Sequence, residues 1–114
     1  MKGRSDKILL FDIIECCQRI AGYIDGVRKK DFEADHQLQD ALVRKLEVIG
    51  EAAKGLSEKL RIHNAQIPWQ KLMGMRDRIV HQYFRVDLDI VWTTVKKDIP
   101  VLERNITPIY QKIK

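Results

Sequence analysis

The sequence predicts an all-α fold: an antiparallel bundle of four main helices plus a short C-terminal helix. Apolar residues recur at intervals of three and four along most of the chain, which is the pattern of helices with one buried face. Only six glycines and three prolines interrupt the 114 residues, and this scarcity favours long helices over strands and turns. Because the links are short, neighbouring helices are expected to run antiparallel within a single domain, residues 1–114.

The first helix is predicted to run from about Ser5 to Ile24. Ser5 or Asp6 can cap its first turn, and Gly26 lies just beyond its last turn. Residues 27–35 are polar and are predicted to form a link. The apolar stripe of this helix consists of Leu10, Ile13, Ile14, Cys17, Ile20, Ala21 and Ile24.

The second helix has the cleanest apolar stripe in the sequence and is predicted to extend from about Ala34 to Leu60. Residues 61–67 are predicted to form the loop that follows it. The stripe consists of Leu38, Leu42, Leu46, Ile49, Ala53, Leu56 and Leu60.

Proline and aspartate mark the boundaries of the later helices. Pro68 suits a first helical turn, so a third helix is predicted from Pro68 to about Phe84. Asp87 or Asp89 can cap a fourth helix, which Pro100 ends or kinks. The fourth stripe consists of Leu88, Val91, Trp92, Val95 and Ile99, and that of the short last helix of Leu102, Ile106, Ile109 and Ile113.

An arginine lies on the apolar face of the predicted third helix. At about 100° per residue, Arg76 falls near the middle of that face. The face consists of Trp69, Leu72, Met73, Arg76, Ile79, Val80 and Tyr83. A buried guanidinium is costly unless it is paired, so the position of Arg76 requires an explanation.

Three interpretations of Arg76 remain open. It forms an ion pair with a carboxylate on a neighbouring helix, or its stem is buried while its head reaches water. In the third interpretation the face borders a cleft or a second subunit, where Arg76 binds an anion. The carboxylates considered for an ion pair are Asp12, Glu15 and Glu51.

Composition restricts the function classes without choosing among them. The net charge of +5 permits an anionic partner such as RNA, but charge alone does not establish one. Cys16 and Cys17 are adjacent, so they are unsuited to bridge each other, and no cysteine–histidine spacing indicates a zinc site. Two buried thiols are typical of a reducing compartment. No run approaches the roughly 20 apolar residues of a membrane span, so a cytoplasmic protein is expected.

Arg76, His81 and Tyr83 form an R-x4-H-x-Y motif within the run IPWQKLMGMRDRIVHQYFRVD. This run resembles the HepT group of HEPN-domain proteins, the toxin halves of HEPN and minimal-nucleotidyltransferase (MNT) toxin–antitoxin modules. The runs LEVIGEAAKGLS and VWTTVKKDIPVLE are similar to the same group, so the resemblance covers nearly the whole chain.

The resemblance implies a fold, an activity and partners. Members are small helical bundles that form homodimers, which bring two R-x4-H segments into one composite cleft. Many are endoribonucleases that need no metal and no cofactor. The antitoxin partner is a nucleotidyltransferase, which in some systems adds AMP to the motif tyrosine and silences the toxin.

The motif residues suit metal-independent RNA cleavage. A histidine such as His81 can transfer protons near neutral pH, and an arginine such as Arg76 binds a phosphate through two parallel hydrogen bonds. The resemblance makes Tyr83 the candidate AMP acceptor, and the alternative is that its hydroxyl positions the RNA. An AMP group on Tyr83 would place bulk and negative charge where they compete with the RNA phosphate. Asp77 is a candidate to orient His81 or Arg76.

Two further residues are supporting candidates. Arg78 adds positive charge beside the cleft, although a solvated surface arginine is the simpler interpretation. Glu51 is a candidate partner for an arginine if its face of the second helix is covered, and a surface residue otherwise.

Two other functional interpretations stand beside the ribonuclease. The first is a non-catalytic helical subunit that binds a nucleotidyltransferase and a nucleotide or RNA. The second is a structural bundle in which Arg76 is merely paired with a carboxylate. The presence of Arg76, His81 and Tyr83 together favours the enzyme, because a scaffold has no need of all three.

Overall fold

The computed structural model describes residues 3–81 and 85–113, and of His81 it describes the backbone alone. The predicted all-α class is confirmed, since the two strands found are two residues long each. The elements are α1 (Asp6–Ile24), α2 (Lys29–Glu33), α3 (His36–Gly55), α4 (Glu58–His63), α5 (Trp69–Met73), α6 (Met75–Ile79), β1 (Val80–His81), β2 (Arg85–Val86), α7 (Leu88–Thr93), a π-helical turn (Thr94–Asp98) and α8 (Ile99–Lys112).

The centre of the fold is the pair formed by α1 and α3, with α8 packed along α1. Ser5 caps α1 by accepting a hydrogen bond from the Ile8 amide at 3.2 Å, as predicted. Asp6, at the start of α1, accepts hydrogen bonds from the amide and the hydroxyl of Ser57, at 2.8 and 2.6 Å. Ser57 follows the end of α3, so α1 and α3 run antiparallel.

The hydrophobic core contains most of the predicted stripes of the first and second helices. Ala21, however, is exposed. The fully buried side chains of α1 and α3 include Leu9, Leu10, Ile13, Cys17, Ile20, Leu42, Leu46 and Ile49. None of the helices in the described ranges is long and apolar enough to cross a membrane.

The prediction that residues 27–35 form only a polar link is wrong, because α2 lies within them. Phe32 of α2 is fully buried and stacks on Trp92 of α7, with the ring centroids 5.1 Å apart. Asp31 accepts a hydrogen bond from the backbone amide of Arg28 at 3.2 Å, which closes the first turn of α2. Phe32 is the one apolar residue within α2, and its partner Trp92 lies 60 positions further along the chain.

The predicted second helix is two helices, and the predicted loop over residues 61–67 begins late. α3 ends at Gly55, and Ser57 caps α4 by accepting a hydrogen bond from the Leu60 amide at 3.2 Å. The same Ser57 donates to Asp6, so the break follows from a contact with α1. The apolar stripe continues across the break, since Leu56 and Leu60 are both buried.

The predicted third helix breaks at Gly74 and ends at Ile79. α5 and α6 meet at Gly74, whose backbone angles of −91° and 13° lie outside the helical range. Beyond Ile79 the chain forms β1, which pairs antiparallel with β2. The prediction of a helix as far as Phe84 is therefore wrong, and residues 82–84 lie outside the described residues.

Pro100 does not end the fourth helix. α7, the π-helical turn and α8 follow one another without a non-helical residue between them. A proline inside a helix has no amide hydrogen to donate, and its ring crowds the carbonyl four residues earlier. The π-helical turn, which is wider than an α turn, lies just before Pro100. The predicted short last helix is in fact the 14-residue α8.

Candidate functional site

The segment from α5 to β2 carries the motif and is held at both ends. At its start, the Trp69 indole donates a hydrogen bond to the backbone carbonyl of Asn64 at 3.0 Å. At its end, the Asp87 amide donates to the Ile79 carbonyl at 2.8 Å. β1 and β2 pair in one register, with Val80 opposite Val86. The short helix α6 is thus fixed between a glycine joint and a strand pair.

Gly50 of α3 sets how closely this segment approaches the core. A Cβ atom at Gly50 would lie 2.8 Å from the Leu72 carbonyl oxygen and 3.3 Å from the Met75 Cβ atom. Only a residue without a side chain permits this contact between α3 and the α5–α6 joint. Gly50 was not among the residues predicted to matter; its one signal in the sequence is a glycine inside a strong helical pattern, which indicates a packing requirement.

Arg76 lies at the surface of the protomer. Its side chain is 60% exposed, and its Nε atom lies 3.4 Å from Oε2 of Glu47 on α3. The prediction that Arg76 occupies the apolar face is wrong for the single chain, because the break at Gly74 turns Met75 inward instead. Met75 is only 1% exposed.

The ion pair of Arg76 agrees with the first of the three interpretations, since the arginine pairs with a carboxylate on a neighbouring helix. The buried stem of the second interpretation is not found, because the side chain is 60% exposed. The carboxylate is that of Glu47 and not that of Asp12, Glu15 or Glu51, the three candidates predicted from the sequence. Glu47 and Glu51 lie one turn apart on α3. The helical pattern therefore predicted the correct face of α3 for the partner of Arg76 but the wrong turn.

Glu51 and Asp77 are both exposed. Glu51 pairs with Lys54 of its own helix at 3.4 Å, in agreement with the surface alternative. Asp77 lies in the first turn of α6, beside Arg76 in sequence, while Arg76 itself is paired with Glu47. The proposed orientation of His81 by Asp77 concerns a side chain outside the described part of the structure.

Arg78 differs from the solvated arginine of the simpler interpretation. It is half-buried, and its Nη1 atom is shielded from solvent without a hydrogen-bond partner among the described residues. Arg78 borders a cavity of about 180 Å³, together with Leu72, Met75 and Leu102. An unpaired buried donor costs free energy, so a stability role alone does not account for this arginine.

The motif histidine and tyrosine are only partly described. The backbone of His81 pairs with that of Arg85, which places His81 in β1 rather than on a helix with Arg76. Tyr83 lies outside the described residues, as does the side chain of His81. Arg76 and His81 therefore belong to one continuous segment whose geometry changes from helix to strand between them.

The two cysteines lie in the core, away from α6. Burial raises the pKa of the Cys17 thiol to about 12 and also raises the pKa of the Cys16 thiol. Both thiols are protonated near neutral pH and pack as small apolar groups. In the two described ranges, no cluster of three His, Cys, Asp or Glu side chains has the geometry to hold a metal ion.

The arrangement at Arg76 is suited to bind an anion. An exposed ion pair contributes little to stability, typically about 0–1 kcal/mol. A phosphate offers a stronger partner than a carboxylate at 3.4 Å, because arginine binds phosphate through two short parallel hydrogen bonds. Arg76 can therefore exchange Glu47 for a phosphate without disturbing the core.

The chain is similar to known proteins over most of its length. A model of the family described as "Ribonuclease HepT-like" matches residues 13–109. "Putative RNase TTE0752" of Caldanaerobacter subterraneus subsp. tengcongensis is 40% identical over 102 residues, which are 90% of this chain and 91% of that protein. "Probable ribonuclease HepT" of Thermococcus cleftensis is 40% identical over 100 residues, 88% of this chain and 91% of that protein.

A third relative covers the chain almost from end to end. "Putative RNase MJ1216" of Methanocaldococcus jannaschii is 37% identical over 113 residues, 99% of this chain and 93% of that protein. No solved structure matches the chain. The similarity therefore extends over the scaffold helices and over the segment that carries the motif.

Proposed function

The chain belongs to the HepT-like ribonuclease family, and on that basis we propose that it cleaves RNA without a metal ion, as the toxin of a toxin–antitoxin module. The observation that carries the proposal is the position of Arg76. Its guanidinium is exposed and weakly paired, and it stands on the segment that leads directly to His81. Such a cation is available to a phosphate, whereas a structural arginine is held by its partners.

The chemistry follows from these two residues. A base removes the proton of the RNA 2′-hydroxyl, and the oxygen then attacks phosphorus to form the P–O2′ bond. The P–O5′ bond breaks, and an acid protonates the leaving oxygen. A histidine can transfer protons near neutral pH, so His81 is assigned the proton transfer, and Arg76 stabilises the negative charge that develops on the phosphate.

A second copy of the chain completes the site. One protomer supplies one histidine and one arginine, whereas the reaction uses a base, an acid and cationic stabilisation. Ile8 and Phe11 of α1 are large apolar residues that are 47% and 48% exposed in the single chain, and they offer surface for a homodimer. In solution we expect a particle of about twice the 13.4 kDa of one chain.

The proposed antitoxin is a nucleotidyltransferase of the minimal type. Transfer of AMP from ATP to the Tyr83 hydroxyl would form a tyrosyl phosphodiester and release pyrophosphate. The added phosphate lies within the motif segment, where its charge competes with RNA for Arg76. This silences the enzyme without unfolding it.

The test is RNA cleavage by the purified chain in EDTA, after mass spectrometry has verified that Tyr83 is unmodified. We expect the parent to cleave and His81→Ala to lose activity by about a hundredfold or more, because proton transfer typically contributes that much. His36→Ala is the matched control, since His36 is an exposed histidine at the start of α3. Circular dichroism verifies that all three proteins are folded.

Each outcome has a distinct meaning. Equal cleavage by the parent and His81→Ala would identify a contaminating nuclease. Loss in both histidine variants would indicate a general effect of the substitution. No cleavage by the folded parent, tested on several RNAs, would contradict the ribonuclease and favour the non-catalytic partner-binding subunit.

A further inference from the structure

A second basic surface lies away from the motif, in a groove between α4, α8 and the start of α1. The groove has a volume of about 570 Å³. None of its lining residues belongs to α6, β1 or β2. Four basic side chains line it, namely Lys59, His63, Arg104 and Lys112. We call it the α4–α8 groove.

The spacing of these residues aligns them along the groove. Lys59 and His63 are four residues apart on α4, so they share one helix face. Arg104 and Lys112 are eight residues apart on α8, with Pro108 between them on the same face. The two faces oppose each other, and the cations form two rows with apolar surface between them.

The cations of the groove lack acidic partners. Lys59, Arg104 and Lys112 form no ion pair within the described part of the chain. The acidic residue of the lining, Asp6, already accepts two hydrogen bonds from Ser57. The groove therefore carries three lysine or arginine charges against the single carboxylate of Asp6, and this net positive charge on a concave surface concentrates anions.

The side chain of His63 is oriented by its own helix. Its Nδ1 atom lies 2.8 Å from the Lys59 carbonyl oxygen and donates a hydrogen bond to it. The other ring nitrogen of His63, Nε2, takes no part in this hydrogen bond.

The groove is connected to the motif segment along α8. Asn105 lines the groove and also lines the cavity of about 180 Å³ that Lys71 and Arg78 border. Arg78 stands between Arg76 and His81 in the sequence. An extended ligand that runs from the motif segment along α8 thus passes Asn105 and reaches Arg104 and Lys112.

We propose that the α4–α8 groove binds the phosphate backbone of a single-stranded RNA whose scissile bond lies at the motif segment. The inference rests on the proposed function for the position of that bond. A single strand fits because its flexible chain of phosphates can follow the cations on the two sides of the groove, while its unpaired bases can lie on the apolar surface between them. The groove thereby holds the flank of the substrate and takes no part in the chemistry.

The experiment measures binding of RNA that cannot be cleaved. Fully 2′-O-methylated RNA has no free 2′-hydroxyl to attack phosphorus, so its affinity is independent of activity. α8 is about 21 Å long, which matches roughly six stacked nucleotides at 3.4 Å, so the probes are oligonucleotides of about three and about 15 nucleotides. Affinity is measured by fluorescence anisotropy over a range of salt concentrations.

The variant carries Lys59→Ala, Arg104→Ala and Lys112→Ala together. The matched control carries Lys30→Ala, Lys97→Ala and Arg19→Ala, which also removes two lysines and one arginine. These three control residues are exposed and lie outside the groove. Both triple variants lower the net charge equally, so a difference between them reports position rather than charge.

We expect the parent to bind the longer probe more tightly than the short one and the groove variant to lose most of this advantage. The slope of log affinity against log salt is expected to fall by about 2 for the longer probe, at roughly 0.7 per phosphate contact. When the salt concentration rises from about 50 to about 200 mM, the affinity of the parent for the longer probe should therefore fall roughly twentyfold further than that of the groove variant. The control variant should retain the length advantage.

Equal losses in the two triple variants would overturn the proposal, because net charge would then explain the effect. Retention of the full length advantage by the groove variant would overturn it as well. Neither result depends on cleavage. A parent that binds the longer probe through the groove but cleaves no RNA would contradict the proposed function and leave the groove in place.

Discussion

The α1–α3 pair and the segment from α5 to β2 are built in opposite ways. α1 and α3 are uninterrupted helices of 19 and 20 residues with fully buried stripes. The segment from α5 to β2 consists of two five-residue helices and two two-residue strands. It exposes Arg76 and leaves one nitrogen of Arg78 buried without a partner in the described chain.

This difference divides the molecule into two parts. The α1–α3 pair stabilises the fold, and the segment from α5 to β2 carries the candidate catalytic residues. Long helices bury apolar area efficiently, but their side chains point in directions fixed by the helix. Joints at Gly74 and Val80 free the motif segment from that constraint. The two regions meet at Gly50, where α3 supports the segment at backbone distance.

The largest effect is expected from a substitution at Arg76, which should lower activity and leave stability nearly unchanged. We expect Arg76→Ala to reduce RNA cleavage by about a hundredfold or more, because the charge on the phosphate loses its stabilisation. The free energy of unfolding should change by less than about 0.5 kcal/mol, since the side chain is exposed. Cleavage assays and urea denaturation on the same preparations measure both. A large loss of stability would place Arg76 with the scaffold.

An intermediate effect is expected at the contact between the two regions. Gly50→Ala should destabilise the fold by about 1–3 kcal/mol, because the new Cβ atom meets the Leu72 carbonyl. The control is Gly22→Ala in α1, where a Cβ atom meets nothing within 4 Å. That change should stabilise the helix by about 0.5–1 kcal/mol. Similar denaturation midpoints for the two variants would refute the close contact.

The smallest effect is expected from the partner of Arg76. Glu47→Gln removes a carboxylate that competes with phosphate for the arginine. RNA affinity should rise by about two- to fivefold at low salt, in line with the roughly 0–1 kcal/mol of an exposed ion pair. Glu51→Gln on the same helix is the control, because Glu51 pairs with Lys54 instead. If both variants bind RNA equally, the pair with Glu47 does not regulate access to Arg76.

The scaffold could be predicted from the sequence because its signals are local. Ser5 caps α1 within three residues of itself, and the stripe of α3 repeats every turn. α2 escaped prediction because the burial of Phe32 depends on Trp92. The break before Ser57 likewise depends on Asp6. In each case the deciding contact is distant in sequence.

The candidate site was predictable in its residues more than in its geometry. The spacing of Arg76, His81 and Tyr83 led to the family that the comparisons establish. The helical geometry assumed for that spacing was wrong, because Ile79 and Val80 pass from a helix into a strand whose partner follows later in the chain. The ion-pair partner Glu47 was not predicted for a second reason, namely that the break at Gly74 alters where Arg76 points.

The π-helical turn at Thr94–Asp98 has a consequence for how the gene can change. Its hydrogen bonds span five residues where those of an α-helix span four, so the turn holds one residue more. Loss of one codon there closes an ordinary α turn and leaves the buried faces of α7 and α8 in place. The same loss within α1 rotates every later residue by about 100° and turns part of its buried stripe toward solvent. Within this turn Lys96 and Lys97 are exposed whereas Thr94 and Val95 are buried, so we expect the loss of either lysine to be tolerated without exposing the core.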